Sequence, residues 1–286
     1  MWGGWVLGLG VGLAAYLAVP AQQPTFRAAA LGVRVDVLVL DGRKPVGGLS
    51  AADFELLDNG VPQSVQLIDT RDIPLNVVLA FDTSASIEGK RRTDLIVAGA
   101  ALLDRMHPAD RVALTTFNHA VVPAAPLTSD VATVRQRLSR IAPSGRTAVM
   151  DGTYVALTAT LAQAGRSLVV VCTDGADISS WLRPEDVVEA ARRSNAVLYS
   201  VTTADAIRSP ALDAVVGATG GEGLTVKASA ELSAAFQRIL SDFRSRYVLA
   251  YTPTGVAEGG FHRLDVRVKR RGLTVKARSG YVGAAQ

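Results

Sequence analysis

The chain has 286 residues, 49% of them hydrophobic and 20% charged, a balance that excludes a disordered or fibrous chain and allows one large domain or two modest ones. The net charge of +4 comes from scattered Lys and Arg, and only 6% of residues are aromatic, which argues against a nucleic-acid surface. Cys172 is the sole cysteine, so an internal disulfide and a zinc-cysteine site are excluded.

The first 21 residues carry no charged side chain. The apolar stretch "WVLGLGVGLAAYLAV" ends at Pro20, and Ala18 and Ala21 give the small-x-small pattern of a signal-peptidase site. The alternative is an uncleaved anchor over residues 2–19, just long enough to span a bilayer. Either reading exports the rest of the chain, to the cell envelope, the periplasm or the medium.

From residue 26 to about 72 the pattern is all-β. "LGVRVDVLVL" places Leu31, Val33, Val35, Val37 and Val39 on one face. "DFELLDNG" and "VPQSVQLID" follow as short strands separated by Asn59-Gly60. Residues 73–244 then alternate strand and helix. "LNVVLAFD", "DRVALTTFN", "SLVVVCTD" and "AVLYSVTT" are apolar runs of the kind buried on both faces of a parallel sheet, with "VVPAAPLT" as an edge strand. Cys172 lies within the third run and reads as a small buried hydrophobe. Helical stripes intervene: Ile96, Gly99, Leu103 and Met106, then Val131, Val134, Leu138 and Ile141, and finally Leu232, Phe236, Ile239 and Phe243. Pro184 opens another helix, with acids in its first turn and Arg192 and Arg193 in its last. Such alternation implies a doubly wound, mostly parallel α/β sheet.

Residues 245–283 return to period two, with "YVLAYTP" and a hairpin whose arms are Leu264, Val266, Val268 and Leu273, Val275, Ala277. The basic run "RVKRRG" is then a solvated face and turn. A lone hairpin is marginal in water, so both terminal β segments are expected to pair into one small β-domain flanking the α/β unit.

Three polar clusters fall where strands of the α/β unit end. Asp82, Ser84 and Ser86 lie in "FDTSAS", Thr147 in "SGRT", and Asp174 in "TDG". Open α/β sheets bind ligands at this edge, near the point where strand order reverses. A metal site, a catalytic aspartate and plain helix caps are the competing explanations. Two carboxylates and three hydroxyls, without His or Cys, suit a hard cation: Mg²⁺ above all, with Mn²⁺ or Ca²⁺ as alternatives. Neutral hydroxyls leave such an ion's charge largely uncompensated, so it attracts one more anionic oxygen, such as an Asp or Glu of a protein partner.

Asp-x-Ser-x-Ser after an apolar strand, then Ser-Gly-x-Thr, then Thr-Asp-Gly, in that order, resembles the von Willebrand factor type A (VWA) domain over about residues 75–242. The resemblance implies a Rossmann-like fold and a metal-ion-dependent adhesion site (MIDAS). By position, Ser84, Ser86 and Thr147 would bind the ion directly, and Asp82 and Asp174 through water. Asp151, in "TAVMD", would stand in a supporting shell. The flanks "VRVDVLVLD", "PVGGLSAADFELLDNGVPQSV" and "RSGY" resemble bacterial secreted proteins termed VWFA-related, which carry a strand-rich segment before the A domain.

Enzyme readings fit less well. An aspartic protease needs two carboxylates sharing a proton on tight turns, but Ser84 replaces the required glycine and Asp174 lies in the wrong order. A haloacid-dehalogenase-like phosphatase needs a second Asp where Ser84 stands. A serine hydrolase needs a positioned base, and His107, His119 and His262 lie in unrelated places, each expected at the surface. The expectation is a binding protein without catalytic residues. The alternative keeps the fold and drops the metal: an assembly scaffold of a bacterial envelope complex.

Overall fold

The structure, a computed structural model, describes residues 32–283 and Met1. The expected leader or anchor lies outside the described residues. Among those described, no helix is long and apolar enough to cross a membrane.

The chain opens with β1 (Val33–Asp41), β2 (Lys44–Pro45), β3 (Phe54–Asp58), β4 (Val61–Gln63) and β5 (Gln66–Ile68). The α/β unit runs β6 (Leu75–Asp82), α1 (Lys90–Leu103), β7 (Arg111–Phe117), β8 (Val121–Thr128), α2 (Val131–Ser139), α3 (Val149–Thr158), β9 (Arg166–Cys172), α4 (Pro184–Arg193), β10 (Ala196–Thr203), α5 (Pro210–Thr219), β11 (Gly223–Val226) and α6 (Leu232–Arg244). The chain closes with β12 (Tyr247–Tyr251), β13 (Gly260–Val268), β14 (Thr274–Lys276) and β15 (Gly280–Gly283).

The central sheet has the order β11-β10-β9-β6-β7-β8 and is parallel except for the edge strand β8. Every residue of β6 is buried, because helices cover both faces. Val77, Leu79 and Phe81 point into the core shared with Leu95, Leu138 and Phe236. Val78 and Ala80, one step out of phase, point into the core shared with Met150, Val187 and Leu212. The strand order reverses between β6 and β9. Their register sets Phe81 opposite Cys172, so the residues that follow each strand emerge side by side.

The flanking strands form two further sheets, β14-β1-β12-β5 with β2 alongside β1, and β15-β13-β3-β4. They share one apolar core of Val35, Val37, Val39, Phe54, Leu249 and Leu264, among others. The N- and C-terminal segments therefore do pair. The hairpin expected near the C-terminus does not form. Its first arm, β13, pairs with β3 and β15, while β14 pairs with β1. Split between two sheets, both arms gain other partner strands. Val266, Val268, Leu273, Val275 and Ala277 still pack on the common core. The basic run is solvated as expected, with Arg267, Lys269, Arg270 and Arg271 exposed.

A second departure from expectation lies in the same sandwich. His262 is buried, not at the surface. Its Nδ1 lies 2.8 Å from Asp58 Oδ1, and Asp58 Oδ2 accepts hydrogen bonds from Tyr251 Oη at 2.8 Å and Tyr281 Oη at 3.0 Å. Period-two patterning places His262 on the same face as Leu264, and that face is the core; a buried carboxylate supplies the partner the ring needs. His107 and His119 are exposed, as expected.

Buried arginines join the sandwich to the α/β unit. Arg246 donates to Tyr199 Oη at 3.0 Å, to the Gly220 carbonyl at 2.7 Å and to the Asp36 carbonyl at 3.2 Å. Arg166, at the start of β9, donates to Asp36 Oδ1 at 2.9 Å and to the Phe243 carbonyl at 2.9 Å.

Candidate metal centre

Asp82 is the last residue of β6 and is 1% exposed. Its Oδ1 accepts the Ser84 backbone N–H at 2.8 Å, and its Oδ2 accepts the Thr173 hydroxyl at 2.6 Å. Burial pushes the Asp82 carboxyl above the usual carboxylate range, outweighing the lowering by those hydrogen bonds; nearby Asp174 adds to the rise. The protein thus holds a desolvated carboxylate with no cationic side chain among its hydrogen-bond partners.

From there a chain of hydroxyls leads to the second carboxylate. Ser84 Oγ and Ser86 Oγ are 2.9 Å apart, and the Ser86 hydroxyl donates to Asp174 Oδ1 at 2.7 Å. A hydroxyl has one proton, so with Ser86 donating to Asp174, Ser84 must donate to Ser86. The serine lone pairs then remain available as acceptors. Thr147 lies across Gly175: a Cβ added there would stand 3.1 Å from Thr147 Oγ1. A larger residue at 175 would intrude on the threonine hydroxyl.

Backbone hydrogen bonds fix the loops that carry these groups. Ser144 N–H donates to the Thr83 carbonyl at 2.8 Å, and Ala85 N–H to the Gly145 carbonyl at 3.1 Å. The Thr147 carbonyl accepts Ile178 N–H at 3.0 Å and Ser179 N–H at 3.1 Å. Gly145 has φ +69°, and a Cβ there would fall 2.1 Å from His119 Nδ1, so only glycine suits this turn.

Helix capping does not account for the hydroxyls. Ser84 occupies the N-cap position of the 3₁₀ turn Ala85–Ile87, but its side chain makes no capping hydrogen bond. The N-cap of α1 is Gly89, and that of α3 is Ala148 rather than Thr147. A nucleophilic thiol is not available either. Cys172 is buried, and burial pushes its pKa far upward. The cavity lined by Asp82, Ile87, Arg91, Cys172 and Thr173 is small, about 30 Å³.

The Asp151 carboxylate accepts the backbone N–H groups of Trp181 at 3.0 Å and Leu182 at 2.9 Å. The second amide of the same helix is met from outside, where Met150 N–H donates to Asp177 Oδ2 and Ser180 Oγ, each at 3.0 Å. Asp151 therefore anchors the loop that displays Trp181. That loop and its neighbour expose Trp181 at 92%, Ile178 at 60% and Ile207 at 65%. Two grooves of about 360 and 490 Å³ share Arg208 and Ser209 between them; Gly175 and Ile207 line the first, Ile178 and Leu182 the second.

Three participants escaped the sequence reading. Thr173, quoted only as part of "TDG", is the hydroxyl that holds Asp82. Arg91, in the first turn of α1, forms ion pairs with Asp174 Oδ2 and Asp205 Oδ2. Asp205 carried a signal, since it too follows a parallel strand; Arg91 carried none. Among the described residues no cluster of three or more His, Cys, Asp or Glu is placed to hold a metal, so any cation here must rely on hydroxyl ligands. The donor set fits that requirement: hard oxygens, and a buried carboxylate short of positive charge.

The family model of the von Willebrand factor type A domain matches residues 76–238. No curated protein matches the chain. Among solved structures the chain is similar to proximal thread matrix protein 1 from the mussel byssus with a zinc-occupied MIDAS motif, at 17% identity and TM-score 0.54, over 65% of this chain and 49% of that one. The chain thus spans about half the length of that protein. It is similar also to the PilB minor pilin from Streptococcus sanguinis, at 12% identity and TM-score 0.50, over 62% of this chain and 63% of that one. The vWF domain of the type V pili tip protein Mfa5 from Porphyromonas gingivalis matches at 14% identity and TM-score 0.49, over 60% of this chain and 95% of that one. At these identities the likeness is one of fold.

Proposed function

Because this chain belongs to the von Willebrand factor type A domain family, we propose that the β6/β9 edge of its central sheet is a metal-ion-dependent adhesion site that captures a carboxylate of a partner protein. Ser84, Ser86 and Thr147 hold a divalent cation directly, and Asp82 and Asp174 hold it through water. Mg²⁺ suits this oxygen set, with Mn²⁺ or Ca²⁺ as alternatives. A cation held by these residues would supply a positive charge that an Asp or Glu from outside could meet. The observation that carries this reading is the hydrogen-bonded run Ser84–Ser86–Asp174 beside a buried Asp82 that lacks a protein cation.

The surroundings suit capture rather than turnover. The space at the carboxylates is small, about 30 Å³, and we assign no catalytic residue. Trp181, Ile178 and Ile207 supply apolar contact area next to the charged centre, a combination found at binding hot spots. The pilus proteins among its structural neighbours suit a place on a bacterial envelope or in its secretions. The leader or anchor expected at residues 1–21 would carry the chain there.

The test is capture from envelope extract by the immobilised chain, with Mg²⁺ or with chelator. Asp82→Ala and chelator should each abolish capture of the same partner while the melting curve remains cooperative. If both leave capture unchanged, the chain is an assembly scaffold that recognises its partner by another surface.

A further inference from the structure

Among the described residues, Arg91 is the guanidinium hydrogen-bonded within the candidate site. It lies in the first turn of α1, where it bridges two acids: Nη1 to Asp174 Oδ2 and Nη2 to Asp205 Oδ2. The two acids differ in setting. The Asp174 side chain is 6% exposed, whereas that of Asp205, on the loop after β10, is 60% exposed. Asp174 Oδ1 already accepts the Ser86 hydroxyl, so Arg91 occupies its other oxygen. The neighbouring Lys90 is paired elsewhere, its Nζ 2.7 Å from Asp94 Oδ2.

We propose that Arg91 is a built-in competitor for Asp174: the cation and the guanidinium draw on the same carboxylate, and Asp205 is the alternative seat that takes Arg91 over. This rests on the adhesion-site reading of Asp174. A guanidinium can grip two carboxylates at once through its fork of donors, so Arg91 can slide toward Asp205 without losing its counter-ion. The arrangement lowers cation affinity and ties occupation of the site to the loop after β10, which also carries Ile207. Asp205 would then assist cation binding although it holds no cation itself.

The test is calorimetric titration of the full chain with Mn²⁺, for wild type, Arg91→Gln, Asp205→Asn and the double variant. Melting curves in chelator check that each is folded. Loss of Arg91 should tighten Mn²⁺ binding by about tenfold, the scale for removing one competing charge near a surface. Asp205→Asn should weaken binding about threefold, because Arg91 then has only Asp174. In the Arg91→Gln background the Asp205→Asn effect should vanish, which separates a handover from simple charge repulsion. The proposal is overturned if Arg91→Gln leaves Mn²⁺ affinity unchanged or weakens it, or if Asp205→Asn weakens binding equally in both backgrounds. If neither the folded wild type nor folded Arg91→Gln binds Mn²⁺, the adhesion-site reading fails first and takes this proposal with it.

Discussion

Two polar clusters in this molecule use similar side chains toward different ends. Inside the sandwich, Asp58 meets His262, Tyr251 and Tyr281, so both oxygens of the buried acid have donors. At the β6/β9 edge, Asp82 is as deeply buried but meets only a backbone N–H and hydroxyls, and the serines beside it keep free lone pairs. Three side-chain partners for Asp58, one of them an imidazole, make the first cluster structural, although His262 Nε2 itself has no hydrogen-bond partner. The second is left short of positive charge, which makes it a place for a ligand. Burial of an acid alone does not mark a site; what distinguishes the two is the partner the fold sets beside it, an imidazole for Asp58 and only hydroxyls and a backbone N–H for Asp82.

The sharpest way to break this contrast is Asp58→Ala. It would leave two tyrosine hydroxyls and a histidine ring without their acceptor, at a cost of about 4 kcal/mol in urea-unfolding experiments. Mn²⁺ affinity, where the variant folds, should stay as in the wild type. A change in affinity would show the clusters to be coupled.

A pH titration sharpens the same point. Burial and the Asp58 carboxylate push Tyr281 up to about 12 from its ordinary value of 10.0. A group whose pKa is raised by folding adds stability that is complete below its unfolded pKa. That stability is lost as pH rises through the folded value. Thermal melting should therefore drop between about pH 10 and 12, and Tyr281→Phe should flatten that drop.

Asp82→Asn should act in the opposite sense to Asp58→Ala. The folded Asp82 carboxyl is raised above the usual range, so its ionisation costs stability as pH rises through that value. Removing the charge should stabilise the chain in chelator at neutral pH by about 1 kcal/mol, without gain in acid. The same variant should lose stabilisation by Mg²⁺, read as a melting shift that no longer appears.

The smallest effect on stability belongs to Trp181→Ala. The side chain is 92% exposed, so unfolding free energy should move by no more than about 0.5 kcal/mol. Partner capture should nevertheless weaken by about tenfold or more, as at an aromatic anchor. Unchanged capture would place the contact surface elsewhere.

Much of this was legible in the order of residues. Continuous apolar runs such as Leu75–Asp82 announce strands covered on both faces, and each polar cluster follows such a run. The stripe Leu232, Phe236, Ile239 and Phe243 is buried along α6. These features are local: strand and helix periods are imposed by backbone geometry, and a short window reveals them. The burial of His262 could be read from its phase with Leu264, but its environment was illegible for the complementary reason. Its partner Asp58 lies 204 positions away, and nothing near His262 signals a buried acid. The hairpin failed likewise, since period two shows a strand but not which strand it joins.

The alternation of strands and helices, the two flanking β segments and the oxygen-only character of the residues at the strand ends are all readable from residue order alone. Only the tertiary structure decided that the C-terminal arms part company, that Thr173 holds Asp82, that Asp151 serves the Trp181 loop and that Arg91 lies between Asp174 and Asp205. The physical reason is that periodicity and residue chemistry are written within a few neighbouring positions. Which buried charge finds which partner depends on strand order and register, and these bring together segments that the chain keeps far apart.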